Sequence, residues 1–128
     1  MKRTWRLSLA CACVLSNAVG AQPPDPRIDL RFTPEKRAEF LAEMRQMLAR
    51  IQGILQGIGT GDRDRIAESA RRSGNQMARA TPDAVRAKLP QSFRDIGGPT
   101  HLLFEELAIR AVTDEMDSLA RFTAELMN

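Results

Sequence analysis

Residues 40–58, FLAEMRQMLARIQGILQGI, constrain what the chain can become more than any other stretch. Phe40, Met44, Met47, Ile51, Ile54 and Ile58 recur at helical spacing, with Leu41, Leu48 and Leu55 along the flank. This is the apolar stripe of a bundle helix, wide enough to need partners on more than one side. The opposite side carries Glu39, Glu43, Arg45, Gln46, Arg50 and Gln52, which suits water. The two-residue alternation of a half-buried strand is missing. Most of a helix's stability comes from covering its apolar face, so the remaining sequence is to be read as that cover.

Punctuation along the chain divides that cover into helices. Thr33-Pro34-Glu35 opens the first one, with Thr as N-cap, Pro at the first helical position and Glu against the dipole. It should run to about Gly57 or Ile58, on the order of 37 Å at 1.5 Å per residue, and stop among Gly57, Gly59 and Gly61. Asp62 caps a second helix through Ile66, Ala70, Ser73 and Met77 to about Arg79. Its inward face is small, with Gly74 in the middle; such a face lets helices approach closely or leaves room for a flat ligand. Thr81-Pro82-Asp83 repeats the cap signal for a short helix over 83–89, halted by Pro90. A third long helix is expected from near Thr100, with Leu103, Phe104, Leu107 and Val112. A turn at Thr113-Asp114 then leads to a last helix with Met116, Leu119, Phe122 and Leu126. The seam from Ile109 to Leu126 also fits one unbroken helix, but that helix would outrun its partners. Four amphipathic helices with short connections predict an all-α, antiparallel four-helix bundle over residues 34–128. At 128 residues the chain supports one domain with a real core.

The first residues read as something other than fold. Lys2, Arg3 and Arg6 precede the short apolar run LSLACACVL, and Val19-Gly20-Ala21 ends in small residues. The pattern is that of a secretory signal peptide over residues 1–21, cleaved after Ala21, with the periplasm as destination in a bacterial source. The run is too short to span a bilayer. Too little apolar sequence precedes Cys11 or Cys13 for a strong lipoprotein reading. Residues 22–33 form a proline-containing leader whose Ile28, Leu30 and Phe32 could lie on the bundle.

Cleavage changes the charge and the chemistry. The whole chain carries 19 Lys and Arg against 16 Asp and Glu; losing Lys2, Arg3 and Arg6 leaves a formal balance of zero. No polybasic patch argues for nucleic acid. Both cysteines leave as well, so the mature domain has no disulfide, thiolate metal site or cysteine nucleophile. His101 stands alone, without Ser/His/Asp or metal-ligand spacing, and reads as a solvated or capping residue near a helix start. The pairings of a di-metal bundle, inward Glu with Glu-x-x-His, are missing, and carboxylates such as Asp64, Glu68, Glu105 and Glu106 sit in ordinary charged faces. The sequence does not read as an enzyme. Met44 and Met47 are ordinary core fillers or, alternatively, sulfur donors facing a cofactor pocket.

Met44-Arg-Gln-Met47 with Ile51 and Ile54, then Gly61-Asp62, Lys88-Leu89-Pro90 with Phe93 and Gly97, His101-Leu-Leu-Phe104 and Asp114 together resemble the cytochrome c-prime and related class II cytochrome c family. The likeness covers residues 33–128 as loose apolar patterns. It implies a bundle holding haem c for electron transfer or small-gas binding, with a redox partner protein or a small gas as partner and no membrane span. A homodimer is allowed. By the resemblance, Met44 is the axial metal ligand, and Met47, Ile51, Phe93, Phe104 and Phe122 are pocket walls. The family's Cys-x-x-Cys-His attachment motif, which also supplies the proximal ligand, would fall directly after Asn128, so this chain reads as truncated before it. The runner-up reading is a haem-free periplasmic binding or interaction bundle. A third is non-covalent haem held by Met44 with His101.

Overall fold

The computed structural model describes residues 27–128, which form six helices and no strand. The expected signal peptide and the start of the leader lie outside the described residues. The first helix, α1 (Pro34–Thr60), begins where its cap predicts: Thr33 is extended and its Oγ1 accepts the Lys36 N–H at 3.3 Å. It ends at Gly61, whose φ of 71° is the left-handed conformation that lacks a steric cost only in glycine. The Asp62 N–H then reaches back to the Gly57 carbonyl at 2.8 Å, closing the helix in a Schellman-type turn. Asp62 in turn caps α2 (Arg63–Arg71), accepting from the Arg65 N–H at 2.9 Å.

The second helix is interrupted, contrary to the pattern reading. After Arg71 the N–H groups of Ser73 and Gly74 turn to the carbonyls of Ala70 and Arg71, and the chain restarts as α3 (Asn75–Ala80). Two side chains from elsewhere serve the backbone groups freed at the break. His101 Nδ1 meets the Ser73 carbonyl at 2.6 Å, and Glu105 accepts the Asn75 N–H at 3.1 Å. The Glu105 carboxylate also lies against Gly74, in the space a Cβ would occupy.

A short α4 (Asp83–Arg86) follows Pro82. The next helix, α5 (Gln91–Arg110), begins right after Pro90, nine residues before the expected start near Thr100. Pro99 removes one N–H from the ladder, but it stands on an exposed face, where the Asp95 carbonyl it leaves unpaired is open to water. Residues 111–115 turn, as Thr113-Asp114 predicted, and α6 (Met116–Leu126) closes the described fold. Arg63 secures this turn, donating to the carbonyls of Ala111 at 2.9 Å and Asp114 at 2.7 Å.

Helix α1 packs on α2 and on α6, α2 packs on α5, and α5 packs on α6 and α3. All four longer helices contribute to one core: Ile54 from α1, Ile66 and Ala70 from α2, Phe104 and Leu107 from α5, Leu119 and Phe122 from α6. The α1–α2 contact is the closest. Gly53 and Gly57 of α1 face Ser69 and Ile66 of α2 and let the two helices approach closely.

The main core cluster takes up little of α1, and Val85 and Leu89 are buried apart from it. Only Ile54 and Gly57 of α1 are buried; Phe40, Met44, Met47, Ile51 and Ile58 are half-buried and Leu41, Leu48 and Leu55 exposed. Glu43 and Arg50, placed on the water side by the pattern, are instead half-buried. Val112, expected in the core, lies 65% exposed in the turn after α5.

Candidate functional site

The residues expected to wall a cofactor pocket separate into three groups. Phe104 and Phe122 belong to the closed core, Phe104 with no exposed surface at all. Phe122 is further covered by Arg110, whose guanidinium carbon lies 4.3 Å from the ring centroid. Met47 and Ile51 pack against the core from outside, beside Ile58, Leu103 and Met116. Met44 is half-buried, one helical turn nearer the N-terminus of α1.

Phe93 is elsewhere. It lies in the first turn of α5, eleven residues before Phe104, a separation of about 16 Å along the helix. Its ring packs at 6.0 Å from Phe40, which in turn packs at 5.6 Å from Phe32 of the leader. Lys88 completes this arrangement, with Nζ 5.6 Å over the Phe32 ring and 3.1 Å from the Arg31 carbonyl. The leader is therefore fixed to α1 through an aromatic row, as its Phe32 suggested, whereas Ile28 points to solvent.

His101 is not near a helix start. It stands midway along α5, half-buried, with Nδ1 committed to the Ser73 carbonyl as a donor. That bond fixes the tautomer of the neutral ring and leaves Nε2 as the free lone pair. Glu105, one turn later, is likewise committed to the backbone of the break. Ser73 is fully buried and its Oγ has no partner, but no base faces it in a hydrogen bond. Among the described residues no group of three or more His, Cys, Asp or Glu could hold a metal ion.

Two ionisable groups are shifted, both by structural neighbours. The Glu35 carboxyl is held below the usual carboxylate range, first by its own backbone N–H and then by the Thr33 hydroxyl. Arg110 is raised above the ordinary guanidinium value, chiefly by the hydrogen bond to Asp114 at 2.7 Å. Neither shift assembles an acid and a base at one place.

Met44, half-buried and outside the core cluster, is the expected ligand whose sulfur would be available to an iron; Met47 and Ile51 pack against that cluster, and Phe104 and Phe122 are closed within it.

The pattern reading missed Arg50. It lies with Arg65, Glu68, Ser69 and Arg72 around a cleft of about 260 Å³ between α1 and α2. The signal was present: positions 50, 53 and 57 share one face of a helix, and two of them are the glycines of a close contact. A second cleft, of about 350 Å³, lies between α2 and the end of α5, with Arg63, Asp64, Glu68, Arg71 and Val112 among its walls.

No known protein family matches the chain, and neither a curated protein nor a solved structure matches it. No described helix is long and apolar enough to cross a membrane.

Proposed function

We propose that this chain is an exported antiparallel four-helix bundle of the class II cytochrome c kind, serving electron transfer or small-gas binding in the periplasm. The observation that carries the reading is Met44, half-buried on the α1 stripe between Phe40, which packs on Phe32 and Phe93, and Met47 and Ile51, which pack against the core. The pairwise packing of α1 on α2, α2 on α5, α5 on α6 and α6 on α1 supports the bundle. Contacts of Arg63 with the end of α5, and of the α2–α3 break with its middle, support opposed directions for α2 and α5. Haem, when bound, would supply the redox or gas-binding iron. Met44 would offer its sulfur to the iron, Met47 and Ile51 would exclude water, and the glycine contact with α2 would hold α1 rigid. By the resemblance, a Cys-x-x-Cys-His motif would tether the haem and supply its histidine ligand.

The test is to express the reading frame with its downstream codons in a host that matures c-type cytochromes. A Soret band is expected, and Met44→Ala should alter the axial-ligand spectrum. A translated Cys-x-x-Cys-His without any Soret band would end this reading.

One observation favours a haem-free binding or interaction bundle instead: Phe104 and Phe122 are sealed in the core while Leu41, Leu48 and Leu55 face outward. The absence of an in-frame attachment motif downstream, together with no saturable Soret shift when the purified chain is titrated with haemin, would select it.

A further inference from the structure

We propose that the cleft between α1 and α2 is a binding site for a phosphate group, held by Arg50, Arg65 and Arg72. The argument begins with Arg50. Its side chain is half-buried, its Nε is closed off from solvent, and that donor has no hydrogen-bond partner. A buried donor without a partner is destabilising, and a guanidinium more so than a neutral group; with Nε closed off from solvent, an acceptor in the cleft that Arg50 lines would meet the other N–H groups of its fork.

The walls of the cleft specify the acceptor. Three guanidinium groups and one carboxylate line it. The carboxylate, Glu68, is already engaged by Arg72 Nε at 2.6 Å across one turn of α2. Arg50 and Arg65 make no ion pair among the described residues. Ser69 adds a hydroxyl on the same side, placed against Gly53 where α1 and α2 meet. The surplus of two positive charges, carried on planar donor forks, matches a dianionic oxyanion with several acceptor oxygens better than a single carboxylate. At about 260 Å³ the cleft exceeds an inorganic ion, so the phosphomonoester of an organic compound or of a lipid headgroup fits it as well.

The site is independent of the haem reading. Arg50 lies roughly 120° round α1 from Met44, on the side that faces α2. Filling one does not require the other.

The experiment follows the arginine Nε–Hε resonances of the full chain by NMR as inorganic phosphate is added, with sodium chloride holding the ionic strength constant. The Arg50 resonance should shift and saturate. Arg50→Gln should weaken binding by about tenfold or more, the loss expected for a charge-assisted hydrogen bond. Arg65→Gln, at an exposed position that leaves packing intact, should weaken it too, with an unchanged far-UV circular dichroism spectrum. A shift that fails to saturate, that chloride reproduces, or that Arg37 and Arg45 on the outer face share equally marks an adventitious ion only and overturns the proposal. Vesicles of phosphatidic acid and of phosphatidylcholine separate the sources. Binding to the former alone, displaced by phosphate and lost in Arg65→Gln, assigns the site to a lipid headgroup; a saturable Arg50 shift without vesicle binding assigns it to a free phosphate compound.

Discussion

Replacing Gly57 by alanine tests the geometry on which the helix packing depends. A Cβ at this position would stand 2.6 Å from Ile66 Cγ1, 2.9 Å from the Asp62 carbonyl oxygen and 3.1 Å from the Ile66 nitrogen. Two of those three atoms are backbone. They belong to the turn that Asp62 closes on Gly57 itself, with its 2.8 Å hydrogen bond. A side-chain rotation cannot relieve the clash, so α2 would have to move as a body away from α1. Overpacking of this kind costs about 1–3 kcal/mol. Alanine returns up to about 1 kcal/mol through its better helix propensity. The net expectation is a loss of roughly 0–2 kcal/mol, the difference of those two terms, and a gap of about 1–3 kcal/mol from a variant that gains the propensity without the clash. Gly59→Ala is the matched control, because nothing lies within 4 Å of its added Cβ. It should be neutral or slightly stabilising. Urea and thermal denaturation followed by circular dichroism would measure both, and the two Tm values should differ by more than about 4 °C in a domain of this size. If Gly57→Ala proves as stable as Gly59→Ala with the same m-value, the close approach of α1 and α2 is wrong.

The remaining expectations concern the core, the turn before α6 and the first cap. Phe104→Ala empties a site with no exposed surface and should cost about 3–5 kcal/mol, read from the denaturation midpoint, enough to unfold much of a marginal domain at room temperature. Arg63→Ala frees the carbonyls of Ala111 and Asp114 together and should cost about 1–2 kcal/mol in the same assay. Thr33→Ala removes the N-cap and should cost about 1 kcal/mol. In that variant an NMR titration should also find the Glu35 pKa moved up towards the ordinary glutamate value. Glu35 in the folded chain is depressed, so its contribution is present above the unfolded pKa and is lost as pH falls through the folded one. The wild type should therefore show that loss only on the acid side of the usual carboxylate range, and Thr33→Ala should show it at higher pH.

Elements set by local chemistry were legible in the sequence. Thr33-Pro34-Glu35, Gly61 and Asp62 satisfy or release backbone groups within a few residues of themselves, so their positions fix the ends of α1 and the start of α2 whatever packs nearby. The turn at residues 111–115 was legible from length alone: the seam from Ile109 to Leu126 also fits one unbroken helix, but that helix would outrun its partners. The candidate haem wall was legible only as a stripe. Met44, Met47 and Ile51 do stay partly uncovered, but helical spacing alone could not tell them from Phe104 and Phe122, which the core takes up entirely.

What the tertiary structure decided lies where a residue's partner is distant in sequence. The interruption after Arg71 exists because His101 and Glu105 of α5 serve the Ser73 carbonyl and the Asn75 amide, and no reading of α2 by itself contains those partners. Helix α5 runs through Gly97-Gly98-Pro99 because that stretch faces outward, where an unpaired carbonyl can meet water. Arg50 looks like a surface residue in the one-dimensional pattern and becomes half-buried only because two glycines bring α2 against its flank. Hydrogen-bond donors and apolar period are local properties of the chain; burial, and with it the fate of each polar group, depends on which surfaces meet.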